Sequence, residues 1–285
     1  MPYSNSIKSL SKIFEASINS NSKNWLKTRL NETIKECSTK KLYLTYTLCS
    51  SNIEQGDIDF NENSDDEIEN YLKSKKANTL ELARIFLLVK VLEANDTFFK
   101  DKVINLIQVA DISELVTFLN YLVLLPNAEN FKFVGVEALR TNIATVFDAI
   151  AMDNPYPSLY FNEQQWNQMY LKAAFMQRDL SKILGIDIRA NKELARIISD
   201  YAHERWAASR DIDPLFWRPV SNYIQGQLLS DIERLFKSDN HLENKAAALV
   251  CFKSKDEKIQ QMLVDYPKFE KQLKNGILTW DDLRN

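Results

Sequence analysis

The residues best suited to chemistry lie in one short stretch, residues 199–212, with the sequence SDYAHERWAASRDI. His203 is the central candidate, because an imidazole changes charge near neutral pH and serves as a general acid or base. Asp200 and Glu204 supply nearby carboxylates, and Arg210 supplies a guanidinium that stabilises anions. The stretch therefore favours either acid–base catalysis, with His203 as the catalytic residue, or binding of an anionic molecule.

The spacing of these residues excludes two more specific kinds of site. A metalloprotease helix needs a second histidine at position 207, where the chain has Ala207. The Asp200-x-x-His203 spacing matches the carboxylate–histidine pair of di-iron bundles, but those sites need two such pairs, and His241 has Ser238 three positions before it. No serine or cysteine is placed to use His203 as a base. We therefore expect neither a metal site nor a hydrolase triad.

The glycine content indicates the fold class. The chain has 285 residues and only 5 glycines, whereas sheet-rich folds need glycine at many turns. The glycines stand far apart, at positions 56, 135, 185, 226 and 276, so no phosphate-binding loop or dinucleotide fingerprint is present. An all-α protein without a sheet is predicted, and no cofactor is expected.

Charge and targeting signals narrow the possible partners and location. The net charge of −3 gives no basic stripe for nucleic acid. The first twenty residues lack the apolar core of a signal peptide, and the longest apolar run, residues 115–126, is too short to span a membrane. Cys37, Cys49 and Cys251 are widely spaced, which is typical of buried thiols in a reducing compartment. We expect a cytoplasmic protein without a transmembrane segment.

Apolar spacing predicts helices along most of the chain. One helix should begin at Thr79, another at Asp96 or Thr97, and a third is capped by Asp111. Their similar lengths and short links predict a right-handed stack of antiparallel helical pairs, similar to HEAT repeats. Four segments are expected to form one continuous fold: N-terminal helices at 1–52, an acidic loop at 53–70, a main helical domain at 71–236 and C-terminal capping helices at 237–285.

Three consecutive elements of the main domain carry unusual polar residues. In the first, apolar spacing predicts one helix from Val136 to Ile150, which Asn154 and Pro155 follow. In the second, residues 161–176 are apolar around much of the helix, so a buried helix is predicted, in which Lys172 needs an anionic partner such as Asp148 or Glu137. In the third, Arg205 lies on the apolar side and is predicted to be a buried, paired structural anchor.

These elements together resemble a known family. The words RTNIATVFDAIAMDNPYP, WNQMYLKAAF, GIDIRANKELA and DYAHERWAASR occur in the order of the signature of the EboA-domain family. The resemblance covers about residues 119–217. It implies a bacterial protein from a gene cluster that also encodes a UbiA-like prenyltransferase and sugar- or cyclitol-type enzymes. Such clusters are associated with making or moving a secondary metabolite, so the implied partners are a small molecule or the other proteins of that cluster.

The resemblance also implies a set of candidate ligand-binding residues. They are Arg140, Asn142, Asp148, Asn154, Tyr156, Asn167, Lys172, Arg189, Asp200, His203, Glu204, Trp206 and Arg210.

Three interpretations of these residues stay open. In the first, a non-catalytic helical protein binds an anionic or polar small molecule, or a partner protein, in a pocket lined by Arg140, Asn167, Lys172, His203 and Arg210. In the second, an enzyme uses His203 as general acid or base, oriented by Asp200 or Asp148, on an anionic substrate. In the third, the polar cluster is a buried network that only holds helices together.

Overall fold

The structure, a computed structural model, describes residues 3, 6–61 and 64–284. The contacts divide the chain into two compact units, unit 1 (Met1–Tyr160) and unit 2 (Phe161–Asn285). The described residues contain helices and no strand, apart from an isolated bridge between Asp57 and Asn78. The all-α fold class is therefore confirmed. The right-handed stacking and the four-segment organisation stay predictions.

The described part of unit 1 contains ten α-helices. They are α1 (Ser6–Ser17), α2 (Ser20–Lys35), α3 (Thr39–Asn52), α4 (Glu67–Ser74), α5 (Thr79–Ile104), α6 (Leu106–Val109), α7 (Ile112–Asn120), α8 (Lys132–Leu139), α9 (Ala144–Ala151) and α10 (Tyr156–Tyr160). Helix α5 is central, because every residue from position 82 to 89 is buried and the helix packs against α1, α2, α3 and α7. A helix buried around its circumference belongs to the core.

The predicted helix starts at residues 96 and 111 are found within one residue. Asn95 has a non-helical backbone (φ −158°, ψ 81°) inside α5, and its side chain accepts a hydrogen bond from the Phe98 amide at 3.0 Å. Asp111 caps α7 by accepting from the Glu114 amide at 2.8 Å, and the Glu114 carboxylate accepts from the Asp111 amide at 3.1 Å. Both helix starts are determined by local side-chain caps, which can be identified from the sequence.

The prediction of one helix from residue 136 to residue 150 is wrong. Helix α8 ends at Leu139 and α9 begins at Ala144, so Arg140 and Asn142 lie in a turn. Thr141 stabilises this turn by accepting a hydrogen bond from the Ile143 amide at 3.0 Å. A threonine hydroxyl that bonds the local backbone competes with helix continuation, and apolar periodicity alone does not reveal such a break.

The described part of unit 2 contains seven α-helices. They are α11 (Glu163–Phe175), α12 (Ile186–Arg189), α13 (Lys192–Ala207), α14 (Gln227–Phe236), α15 (His241–Lys253), α16 (Glu257–Gln261) and α17 (Pro267–Lys274). A 3-10 helix at Pro214–Val220 connects α13 to the loop before α14. Helix α15 is the centre of the unit, because residues 246–251 are all buried and it packs against α14, α17 and that 3-10 helix.

Three further expectations are corrected by the exposure of single side chains. Helix α11 is not buried on most of its surface, because Phe175 is 76% exposed and Gln168 is exposed as well. Cys37 is exposed, whereas Cys49 and Cys251 are buried as expected. Arg205 is only half-buried. In each case the sequence shows which faces are apolar but not which of them another element covers.

The acidic segment ends in a helix, α4. Asp66 caps α4 by accepting from the Ile68 amide at 2.8 Å, so the end of the acidic segment opens a helix, while Glu62 lies outside the described residues. Among the described residues, no helix has both the length and the apolar character needed to cross a membrane.

Candidate functional site

The thirteen candidate residues are divided between the two units. Arg140, Asn142, Asp148, Asn154 and Tyr156 belong to unit 1, and the other eight belong to unit 2.

In unit 1, the candidates of the turn after α8 are exposed. Arg140 is 73% exposed and forms an ion pair with Glu137, one helical turn earlier. Asn142 is exposed in the same turn, and Asp148 is half-buried on α9. An exposed pair of this kind contributes little to stability, so Arg140 is available to a partner or ligand at small cost.

Asn154 and Tyr156 have a different environment, because they are fully buried and hydrogen-bonded. The Asn154 amide donates to the carbonyls of Leu119 at 3.1 Å and Ala149 at 2.8 Å, and its oxygen accepts from the Tyr156 amide at 2.9 Å. The Tyr156 hydroxyl donates to the Ala128 carbonyl at 2.7 Å. These contacts stabilise the backbone around α10, which explains both residues without a ligand.

In unit 2, Asn167 and Arg189 also make contacts that hold helices together. The side-chain amides of Asn167 and Asn191 donate to each other, at 3.1 and 2.8 Å, which connects α11 to the start of α13. The Arg189 guanidinium donates to the Phe161 carbonyl at 2.7 Å and lies 5.4 Å from the Trp166 ring centre. Such an arrangement fixes a guanidinium in place.

The partner of His203 within unit 2 was not predicted. His203 Nε2 lies 2.7 Å from Oδ1 of Asp231, on α14. Asp200, expected as one possible partner, instead accepts a hydrogen bond from Arg196 at 2.5 Å. The imidazole is half-exposed (46%), whereas the Asp231 side chain is only 2% exposed. The Asp–His pair therefore joins α13 to α14 and holds the Nε2–H tautomer, because a carboxylate accepts.

Two further side chains complete the hydrogen bonds of Asp231. The Ser199 hydroxyl donates to its Oδ2 at 2.5 Å, and the Gln227 amide donates to its Oδ1 at 3.3 Å. Ser199 and His203 thus bond the same carboxylate and not each other, so the serine is not activated as a nucleophile. The sequence carries a signal that was missed, because Asp231 stands among the apolar positions of α14, between Leu228 and Leu235.

A cavity adjoins this network. Its volume is 540 Å³, and Ser199, Gln227 and Asp200 all line it, together with Tyr223 and Arg196. The Arg196 guanidinium is already occupied by Glu193 and Asp200. The charges at this cavity are therefore largely compensated, and neutral hydrogen-bonding groups remain.

A second cavity of unit 2, which we call the arginine cavity, has a volume of 820 Å³. Three arginines line it: Arg178 follows α11, Arg205 lies in the last turn of α13, and Arg210 lies in the loop after α13. Arg205 donates through Nε and Nη2 to the Asp211 carbonyl, at 3.1 and 2.6 Å. Its predicted pairing is therefore found, but with a backbone carbonyl, and this contact fixes the guanidinium at the wall.

Aromatic side chains form another part of the wall of the arginine cavity. The ring centres of Tyr201 and Phe216 are 5.1 Å apart, and Phe216 stacks on Tyr170 at 5.7 Å. The Tyr170 hydroxyl donates to the Leu215 carbonyl at 3.2 Å, and burial holds its pKa well above the usual range, so it stays a neutral donor. The wall is therefore fixed by stacking and hydrogen bonding.

Arg210 also lines a neighbouring cavity of 690 Å³, together with Trp206 and Arg234. The Arg234 guanidinium lies 4.0 Å from the centre of the Trp206 ring, which stacks on Trp217 at 5.7 Å. Acidic residues, among them Glu233 and Glu243, line this cavity too. Its four acidic and three basic residues make it a weaker anion site than the arginine cavity, which is lined by two aspartates and three arginines.

The last two candidates of unit 2 are Lys172 and Glu204. Lys172 is half-buried on α11, and desolvation lowers the pKa of its amine. Glu204 is exposed on α13. Within the described part of the chain, no three His, Cys, Asp or Glu side chains come close enough together to hold a metal ion.

The molecule is thus an all-α protein of two units, of which the second has a cavity lined by three arginines. A family model described as metabolite traffic protein EboA matches residues 6–221, and the chain belongs to this family. The match is wider than the resemblance at residues 119–217. A search of curated proteins and a search of solved structures each found no match.

Proposed function

We propose that this protein binds an anionic small molecule with an apolar part, and that the arginine cavity is the binding site. The observation that carries the proposal is the convergence of Arg178, Arg205 and Arg210 on one cavity whose wall includes Tyr201 and Phe216. Guanidinium groups bind carboxylates and phosphates in fixed geometry, and an aromatic wall accepts an apolar body. A binding role agrees with the description of the family as metabolite traffic proteins.

The origin of the ligand is part of the same proposal. The ligand is a secondary metabolite or a prenylated precursor, supplied in the cytoplasm by proteins of the same gene cluster. Native mass spectrometry of protein co-expressed with those proteins tests this part. A bound small molecule that disappears in an Arg210→Ala variant supports the proposal, and an unliganded protein in every combination contradicts it.

The cavity itself is tested with two fluorescent probes of similar size. The anionic probe is 8-anilino-1-naphthalenesulfonate, and its uncharged control is N-phenyl-1-naphthylamine. Arg205→Ala and Arg210→Ala should each weaken binding of the anionic probe by about five- to thirtyfold, because each removes a charge-assisted hydrogen bond of about 1–2 kcal/mol. The affinity for the uncharged probe should change by less than about twofold.

Arg196→Ala is the matched control for these variants. It removes an exposed arginine of α13, the helix of Arg205, that lines the 540 Å³ cavity and not the arginine cavity. The proposal is wrong if Arg196→Ala weakens binding of the anionic probe as much as Arg210→Ala does, because the probe then occupies the other cavity.

One observation favours a second candidate function, that of an enzyme. Asp231 holds His203 through Nε2 at 2.7 Å, and among the described residues no hydrogen bond involves Nδ1. An imidazole oriented in this way by a buried carboxylate is suited to accept a proton at Nδ1. An unchanged yield of pathway product with a His203→Ala variant excludes this candidate, and a loss of product with unchanged probe binding favours it over simple binding.

A further inference from the structure

Three exposed apolar side chains of unit 2 lie close together in sequence. Ile188 is 79% exposed, Phe175 is 76% exposed and Leu184 is 40% exposed. Between them, Leu180, Ile183 and Ile186 are buried at 0–3%. This part of the chain therefore buries one set of apolar residues in unit 2 and presents another set to the outside.

The same part of the chain is basic. Residues 172–192, which we call the basic–apolar segment, contain five Lys or Arg and two Asp, whereas the whole protein has a net charge of −3. One of the two acids, Asp187, is compensated by a bidentate ion pair with Arg218 at 2.8 and 2.7 Å. Lys182 and Lys192 are exposed. The exposed apolar groups thus lie in a stretch of the chain that carries more basic than acidic residues.

We infer that the basic–apolar segment attaches this protein peripherally to an anionic lipid surface. Exposed Phe, Leu and Ile side chains insert into the boundary between headgroups and acyl chains, and nearby Lys and Arg are attracted to anionic headgroups. Stable attachment needs both apolar insertion and electrostatic attraction, since neither is sufficient alone. No transmembrane helix is needed for this attachment.

The charge pattern favours a lipid surface over another copy of this chain. Two basic–apolar segments facing each other across a two-fold axis would bring like charges together, which disfavours a symmetric contact. An anionic bilayer instead complements the charge over the whole segment. Self-association through this segment is an alternative outcome of the vesicle experiment.

The position of the segment relates it to the arginine cavity. Ala174, Gln177 and Arg178 line that cavity, and Phe175 is their neighbour at the end of α11. Attachment through Phe175 therefore brings the mouth of the cavity close to the lipid surface. The inference itself does not depend on the proposed function, because it rests on the exposed residues and their charge.

The test is flotation of the full-length protein with vesicles of phosphatidylcholine alone or with 30% phosphatidylglycerol. We expect binding to the anionic vesicles that is at least about tenfold stronger than to phosphatidylcholine and that weakens as salt is raised from about 0.05 to 0.5 M. The double variant Phe175→Asp, Ile188→Asp should lose at least about tenfold in vesicle binding. Lys182→Glu should weaken binding to anionic vesicles by about threefold or more.

A matched double variant controls for the introduction of two acids. Val264 and Ile277 are also exposed apolar residues of unit 2, at 62% and 64%, but lie outside the segment. Val264→Asp, Ile277→Asp should leave vesicle binding within about twofold of the original protein. Circular dichroism and thermal unfolding check that both double variants are folded.

Several results would overturn the inference. One is that the original protein binds neither kind of vesicle. Another is that the Phe175→Asp, Ile188→Asp variant binds vesicles as strongly as the original protein. A third is that the control double variant loses as much vesicle binding as the Phe175→Asp, Ile188→Asp variant. Self-association of the original protein that disappears in the Phe175→Asp, Ile188→Asp variant, without vesicle binding, would assign the segment to a second copy. Arg210→Ala separates the two proposals, because it should bind vesicles normally even where it fails to bind the anionic probe.

Discussion

His203 Nε2 lies 2.7 Å from Oδ1 of Asp231, so a half-exposed imidazole of α13 is held by a buried carboxylate of α14. The two residues are 28 positions apart, and the contact joins two helices of unit 2. Because Asp231 also accepts from Ser199 at 2.5 Å, its carboxylate connects two residues of α13 at once. Altering a buried acceptor that has several donors lowers the free energy of unfolding, so the structural role of Asp231 can be measured.

We expect Asp231→Asn to destabilise unit 2 by about 1–3 kcal/mol, because a neutral amide replaces a buried carboxylate that accepts several hydrogen bonds. One of the two oxygens becomes a donor, so Ser199 or His203 can keep its contact only by becoming the acceptor. Asp200→Asn is the control and should cost less than about 0.5 kcal/mol, since Asp200 forms only an exposed ion pair with Arg196. Urea unfolding followed by tryptophan fluorescence measures both. Equal stabilities of the two variants would contradict a structural role for the Asp231 network.

A second comparison separates two asparagines of unit 1 that the family resemblance treats alike. Asn154→Ala should cost about 2–4 kcal/mol, because it leaves the buried carbonyls of Leu119 and Ala149 and the Tyr156 amide without their partner. Asn142→Ala, in the exposed turn, should change stability by less than about 0.5 kcal/mol. Chemical unfolding followed by circular dichroism gives both values. A large loss at position 142 would show that the turn has a structural role not visible in its contacts.

The third prediction concerns the pH dependence of stability in unit 1. Lys75 donates a hydrogen bond to the Met152 carbonyl at 2.9 Å, and burial lowers the pKa of its amine to about 8. The unfolded chain holds this proton up to about pH 10.4, so between these values the unfolded state binds more protons and stability rises with pH.

The measurement compares the original protein with Lys75→Met at pH 7.5 and 9.5. The original protein should gain about 1–2 kcal/mol relative to the variant between these pH values. The buried thiols of Cys49 and Cys251, whose pKa burial raises to about 12, act in the opposite direction but cancel in the comparison. A relative stability that stays constant or falls would mean that Lys75 keeps its proton in the folded protein.

The helices and several of their ends could be predicted, because their causes are local. A low glycine content and apolar spacing indicate helices, and caps such as Asp111 are read from residues three positions apart. The break at residues 140–143 was missed although its cause is local as well. The bond from the Ile143 amide to the Thr141 hydroxyl competes with the helix, and the apolar pattern continues across it.

The candidate site was predicted less well, because its residues meet only through the fold. The sequence determined the all-α class and the family, and it singled out His203 and Arg210. The tertiary structure decided that Asp231 holds His203, that Asn154 is buried, and that Arg178 shares a cavity with Arg205 and Arg210. The physical reason is that helical periodicity fixes which face a residue occupies, whereas the packing of one helix against another fixes what that face meets.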